Sequence, residues 1–326
     1  MKAAVFKTSG GPEVIQLVDR ELPVMGEQEV LIRVKAAGIN RPDVMQREGM
    51  YDPPPGVTDI PGLEVAGEIV QLGNPRLPFH INEPVCAIIP GGGYAEYVNV
   101  PATNVAKLPT GLSFEEGGGL METFLTVWSH LFKFAGFKGG KSILIHGGAS
   151  GIGTTATMLT KAFGATQIYA TVSNGPDQQA SQKLGATIAI NYKTQDFVKE
   201  VLEHTHGKGV DYILDIIGGD YVQRNYEVAA LYGTILQVGV IKGNAKDLNL
   251  FPMLAKRLTH QGITLRAQSV EDKAALLKEL VQQVWPLLEE GSIKPLIHRT
   301  FPLSQVREAH RAFDKGGHFG KLVLLA

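Results

Sequence analysis

From residue 141 the chain alternates short apolar runs with helically spaced segments, and no other feature constrains its fold as tightly. Strands are predicted at Ile143–His146, Gln167–Val172, Ile188–Asn191, Tyr212–Ile217 and Thr234–Val238. Helices are predicted between them, at Thr154–Phe163, Gln178–Leu184, Asp196–Glu203 and Val222–Leu231. Strands that are apolar on both faces and alternate with helices build a doubly wound parallel sheet. A further strand is predicted at Ile263–Ala267.

The first of these strands runs into Gly147-Gly148-Ala149-Ser150-Gly151-Ile152-Gly153, and a helical segment follows. Strand, glycine turn and helix together form the setting of a dinucleotide fingerprint. Glycines let backbone N–H groups approach a pyrophosphate, and a helix N-terminus favours its negative charge. Gly148, Ala149, Ser150, Gly151, Ile152 and Gly153 are therefore candidate cofactor contacts. Ser150 stands where the usual pattern has glycine, and its hydroxyl can donate to a phosphate. After the second strand comes Ser173-Asn174-Gly175-Pro176, with no acid at the strand tip. That leaves room for the 2′-phosphate of NADPH. Gly239 and Ile241 follow the fifth strand, at the end where such sheets bind ligands.

Outside this region the pattern is different. Glu29–Lys35, Val65–Val70 and Tyr94–Val100 read as strands among turns. Phe124–Phe132 and Glu271–Leu288 read as helices, the second ending near Gly291. Leu296–Phe301 and Lys321–Leu325 read as strands with no parallel-sheet helix after them, so they return to the first domain. The expected organisation is a mostly β domain, 1–122 with 268–326, interrupted by a nucleotide-binding domain at 123–267, with a cleft between the two.

With 326 residues and a net charge of −1, the chain lacks the basic excess of an electrostatic nucleic-acid binder. Its single cysteine, Cys86, forbids an internal disulfide and any metal site needing two thiolates. The flanking apolar strand pattern makes Cys86 a packing residue. No metal site is expected: His204 and His206 read as a solvated helix end. Ala135-Gly136-Phe137-Lys138-Gly139-Gly140-Lys141-Ser142 nearly matches a phosphate-binding P-loop, but Lys141-Ser142 opens a strand where that motif opens a helix. No secretory signal and no membrane-spanning run is visible, so the expected compartment is the cytoplasm.

Eight short motifs fall in order along the chain. They are Ala37-Gly38-Ile39-Asn40-Arg41-Pro42-Asp43, Gly49-Met50-Tyr51-Asp52-Pro53-Pro54-Pro55-Gly56, Pro61-Gly62-Leu63-Glu64-Val65-Ala66-Gly67, Gly92-Gly93-Tyr94-Ala95-Glu96-Tyr97, the Gly147–Gly153 turn, Asn191-Tyr192, Asp215-Ile216-Ile217-Gly218-Gly219, and Gly320-Lys321-Leu322-Val323-Leu324. Through them the chain resembles the zinc-independent quinone oxidoreductases, the zeta-crystallin-like branch of the medium-chain dehydrogenase/reductase superfamily. The resemblance implies a GroES-like catalytic domain around a Rossmann domain. Zinc alcohol dehydrogenases of the superfamily carry Cys where this chain has Ile39 or Asn40, and His-Glu where it has Leu63-Glu64. They also carry a four-cysteine lobe that is absent here.

On the residues alone, Asn40 makes a turn before Pro42 and Tyr51 shields a surface. The resemblance implies that both face the nicotinamide as catalytic and cofactor-binding residues, that Thr126 approaches the nicotinamide, and that Ser173, Asn174 and Tyr192 surround the 2′-phosphate. It also implies a lysine where this chain has Asp177, a reversal of sign. NADPH is the expected cofactor, with NADH possible. The expected activity is metal-free hydride transfer to a quinone or conjugated carbonyl. The alternatives are an enoyl or alkenal double-bond reductase, or a non-catalytic NADPH-binding protein of crystallin or redox-sensing type. Pairing of exposed edge strands at Ile263–Ala267 predicts a homodimer. Loops around Tyr51, Tyr94 and Phe251–Leu265 are expected to shape the substrate pocket.

Overall fold

The computed structural model describes all 326 residues. The first segment contains β1 (Lys2–Phe6), β2 (Ile15–Asp19), β3 (Glu29–Gly38), α1 (Arg41–Arg47), β4 (Glu64–Leu72), β5 (Pro84–Ile88), β6 (Tyr97–Pro101), β7 (Val105–Lys107), α2 (Phe114–Gly118) and α3 (Met121–Val127). Then come β8 (Ser142–Ile145), α4 (Gly151–Ala162), β9 (Gln167–Val172), α5 (Gly175–Leu184), β10 (Ile188–Asn191), α6 (Phe197–His204), β11 (Val210–Asp215), α7 (Tyr221–Val228), β12 (Ala229–Gln237), α8 (Phe251–Ala255) and β13 (Thr259–Gly262). The tail holds α9 (Val270–Glu289), β14 (Ile297–Pro302), α10 (Val306–Lys315) and β15 (Lys321–Leu325). Two compact units result, Met1–Leu125 with Leu265–Ala326, and Thr126–Thr264.

The second unit is a six-stranded parallel sheet in the order β10-β9-β8-β11-β12-β13. The order reverses direction between β8 and β11, which is where open α/β sheets bind ligands. Ile143, Leu144 and Ile145 are fully buried, as a strand covered on both faces requires. The first unit is a seven-stranded mixed sheet, β14-β15-β3-β4-β5-β7 with β6 also paired to β3. Val30, Ile32 and Val34 alternate along β3 and enter its core with Val65, Ile69 and Val85.

Four local expectations are corrected. The helix predicted to Leu231 ends at Val228, because β12 begins at Ala229 and Tyr232 takes a left-handed φ of 63° that no helix continues. The strand predicted at Ile263–Ala267 lies earlier, at Thr259–Gly262. It is an edge strand of polar residues, so hydrophobic pattern did not mark it. The helix expected at Phe124–Phe132 starts at Met121 and passes into a π-helical stretch, Trp128–Phe134. Finally, the two tail strands are parallel and joined by α10. Val306, Ala309 and His310 form the buried stripe of that helix.

Candidate active site

The cofactor turn is built by the start of α4. Ser150 is its N-cap, and its hydroxyl accepts from Gly153 N–H at 3.0 Å while donating to the Gly147 carbonyl at 2.7 Å. The serine hydroxyl is thus committed to the turn, not offered to a phosphate as the sequence suggested. What the turn does offer is backbone. The N–H groups of Ala149, Gly151 and Ile152 have no acceptor in the protein and lie at the positive end of a twelve-residue helix. A Cβ on Gly153 would meet the Gly147 carbonyl oxygen at 2.2 Å, and Gly147 itself has a φ of 71°. Glycine is required at both points, and the cradle fits a pyrophosphate.

Beneath the turn lies a buried polar network the sequence did not announce. His146, fully buried, places Nδ1 3.1 Å from Thr171 Oγ1 and Nε2 2.8 Å from Asn225 Oδ1. Asn225 donates to Asp215 Oδ2 at 2.9 Å, and Asp215 Oδ1 accepts from Ile217 and Gly218 N–H. The network ties the carboxyl ends of β8, β9 and β11 to α7. Burial lowers the His146 pKa, which keeps the ring neutral. At the end of β12, Gly239 N–H and Ile241 N–H bond back to Asp215 and Ile216 carbonyls, and Ile241 is exposed.

At the tip of β9, Asn174 caps α5 by accepting from Asp177 N–H at 2.9 Å. Its Nδ2 donates to Asp177 Oδ2 at 2.7 Å, and Ser173 Oγ donates to the same oxygen at 3.4 Å. Asp177 is buried by this arrangement. It stands in the first turn of α5, its carboxylate engaged by Asn174 and Ser173 and so held away from the role of a free ribose-binding acid. Tyr192 is 44% exposed, and its hydroxyl makes no hydrogen bond. Thr126 is buried and its carbonyl accepts from His130 at 2.8 Å.

The first unit contains the other candidates. Asn40, directly before α1, is buried. Its Oδ1 accepts from Lys321 Nζ at 2.5 Å and its Nδ2 donates to Glu64 Oε1 at 2.9 Å. Lys321 also donates to the Ile39 carbonyl at 3.1 Å and pairs with Glu64 Oε1 at 2.7 Å. Glu64 Oε2 accepts from Glu122 N–H at 2.9 Å. Asn40 is therefore a fixed member of an internal network. Asp43 accepts from Asn40 N–H, Gly62 N–H and the Tyr94 hydroxyl. Burial raises its pKa to about 6. Tyr94 is fully buried by that bond, so it is a core residue and not a pocket wall. Cys86 is fully buried in β5, and burial raises its thiol pKa.

Tyr51 is half-buried, and the Arg266 guanidinium lies over its ring with Cζ 5.3 Å from the centroid. Burial raises the Tyr51 pKa. Glu122, at the start of α3, is 8% exposed and its carboxyl makes no hydrogen bond. Burial, reinforced by the Glu64 charge, raises its pKa to about 8. Lys273 on α9 is buried and donates to the Arg266 carbonyl at 2.8 Å. Sequence reasoning missed Glu122, Arg266 and Lys273. For Glu122 and Arg266 the signal was there: each is a charge in an otherwise apolar stretch, where burial demands a partner. Lys273 follows Glu271 and Asp272 and carried no such signal.

The alcohol dehydrogenase GroES-like domain family matches residues 26–110, and the zinc-binding dehydrogenase family matches 184–324. The quinone oxidoreductase of Pseudomonas aeruginosa is 30% identical over 325 residues, covering 99% of each chain. The synaptic vesicle membrane protein VAT-1 homolog of Danio rerio is 29% identical over 342 residues, covering 99% of this chain and 69% of that protein. The solved Escherichia coli quinone oxidoreductase complexed with NADPH superposes with a TM-score of 0.89 at 28% identity, covering all of both chains.

The zinc that one of these family names implies does not fit the residues present. Ile39, Asn40, Leu63 and Glu64 supply one carboxylate and one amide, without thiolate or imidazole. The Lys321 ammonium already sits against the Ile39 carbonyl, Asn40 Oδ1 and Glu64 Oε1, and would repel a second cation.

Proposed function

The chain belongs to the zinc-independent quinone oxidoreductase branch of the medium-chain dehydrogenase/reductase superfamily, and from that premise we propose that it reduces quinones or similarly conjugated carbonyl compounds with NADPH. The observation that carries the reading is the cradle of free Ala149, Gly151 and Ile152 N–H groups at the start of α4. NADPH, when bound, supplies the hydride. The chain contributes placement and electrostatics. The turn holds the pyrophosphate, and Ser173 and Tyr192 accommodate the 2′-phosphate. The Asn40–Glu64–Lys321 network fixes the start of α1 against β4 and β15. An activated acceptor of this kind needs no metal to polarise it.

The direct experiment follows NADPH and NADH consumption by the purified protein against several simple quinones and one enal. Rapid loss of NADPH with quinones supports the reading. Tight NADPH binding without consumption by any acceptor overturns it in favour of a binding role, and turnover of the enal alone replaces quinones with carbon–carbon double bonds.

The assembly that fits this fold is a homodimer. β13 ends the parallel sheet with an unpaired edge, and Tyr232, Phe251 and Leu254 of the same unit are exposed. Two-fold pairing at that edge satisfies its backbone groups. Sedimentation that finds only monomer at working concentration removes this assignment. No helix is long and apolar enough to cross a membrane.

A further inference from the structure

Arg266 is 5% exposed, and no carboxylate lies within ion-pair distance of it. Its Nε donates to the Pro90 carbonyl at 2.9 Å and its Nη2 to Gln46 Oε1 at 2.8 Å. Nη1 is buried and has no partner. Lys273, the neighbouring cation, is 4% exposed and forms no ion pair either. A buried guanidinium with no direct ion pair, carrying an unmet N–H, is a costly arrangement for a fold to hold. The guanidinium nevertheless stands over Tyr51, the residue that the functional reading places beside the acceptor. Asp43, Tyr51 and Glu122 lie in the field of the guanidinium, none of them paired with it.

We propose that Arg266 Nη1 is the donor that receives the acceptor's carbonyl oxygen, and that Tyr51 and Arg266 together form its oxygen site. The inference rests on the reductase reading and adds a residue to it. The electron pair delivered with the hydride ends on a conjugated oxygen, which becomes anionic. Nη1 meets that charge with a hydrogen bond whose direction is fixed by the contacts of the guanidinium to Pro90 and Gln46. The oxygen then takes a proton from water, giving the neutral hydroxyl product. The substrate class follows: a planar conjugated acceptor whose π system terminates in a carbonyl oxygen.

The test compares wild type with Arg266→Ala and Arg266→Lys in two assays. In quinone reduction, loss of one such donor lowers kcat about 100-fold while KM for NADPH is unchanged. Millimolar guanidinium restores turnover to Arg266→Ala but does not stimulate wild type. In the second assay, 4-nitrophenol is titrated by absorbance against the protein with NADP⁺. Wild type holds it as the phenolate well below the pH at which it ionises in solution, and the Arg266 variants lose that shift. Should Arg266→Ala not fold, wild type and Arg266→Lys still decide through the nitrophenol spectrum. Undiminished kcat in a variant, or a bound nitrophenol that ionises as in solution, overturns the oxygen site while leaving wild-type quinone turnover intact. Wild type that reduces no quinone yet binds the phenolate through Arg266 sinks the reductase reading and upholds the site.

Discussion

Lys321 Nζ lies 2.7 Å from Glu64 Oε1, with the two side chains 6% and 0% exposed. The pair joins the last strand of the first unit to β4. Glu64 was visible in the sequence as the remaining half of a His-Glu pair, and Lys321 closed the final motif. Their contact was not visible, because 257 residues of chain separate positions that β15, β3 and β4 bring side by side.

Removing one partner leaves the other charge buried and alone. Lys321→Met is expected to destabilise the protein by about 3–5 kcal/mol. The double variant Lys321→Met with Glu64→Leu is expected to recover much of that loss. Denaturant unfolding of the three proteins checks it, and equal stability of the single and double variants would show that the pair is not coupled.

The cofactor turn gives a sharper expectation. A Cβ at position 153 meets backbone at 2.2 Å, so Gly153→Ala must move the turn away from α4. NADPH affinity, followed by fluorescence titration, should fall at least tenfold. Affinity within twofold of wild type would mean that the pyrophosphate does not lie on this turn.

The parallel sheet, the glycine turn and the mostly β domain were legible because each has a local signature: apolar runs, a glycine spacing, alternation. The polar edge strand Thr259–Gly262 has none, since its register is set by β12 beside it. The same limit explains the site. Tyr51 and Asn40 sit in recognisable motifs, whereas Arg266 lies more than 200 residues beyond Tyr51 and reaches it only through folding. Arg266 was even placed within a predicted strand, which hid its charge among Ile263, Leu265 and Ala267.

Asp177 is a test of cofactor choice. Its carboxylate is engaged by Asn174 and Ser173, beside the residues assigned to the 2′-phosphate. Asp177→Lys replaces a repulsive charge with an attractive one and should raise the NADPH-over-NADH ratio of kcat/KM by about tenfold, or about 1.4 kcal/mol. The same change removes an acid from the first turn of α5, so a stability loss of about 0.5–1 kcal/mol accompanies it. An unchanged ratio would locate the 2′-phosphate elsewhere.

Glu122 makes the protein pH-sensitive in a direction opposite to that of a salt-bridged carboxylate. Its carboxyl is faced by Glu64 and Asp43, which raise its pKa, and by Lys321 and Lys273, which lower it; burial is the largest cause. Tyr51 and Arg266 also lie within its field. The folded-state value is about 8 against an ordinary 4.5, so between those pH values the native protein carries a proton that the unfolded chain has lost. Stability therefore falls as pH rises through that window, by a few kcal/mol at most. Asp43, raised to about 6, adds the same sign of slope between 3.8 and 6. Glu122→Gln keeps the shape and removes the titration. It should be more stable than wild type at pH 8, about equal near pH 4.5, and show a flatter stability profile between. Above pH 8, ionised Glu122 also offsets the charge of Arg266 over Tyr51, so wild-type kcat on a quinone should decline there while the Gln variant holds its rate. Parallel pH profiles for the two proteins would exclude Glu122 as the titrating group.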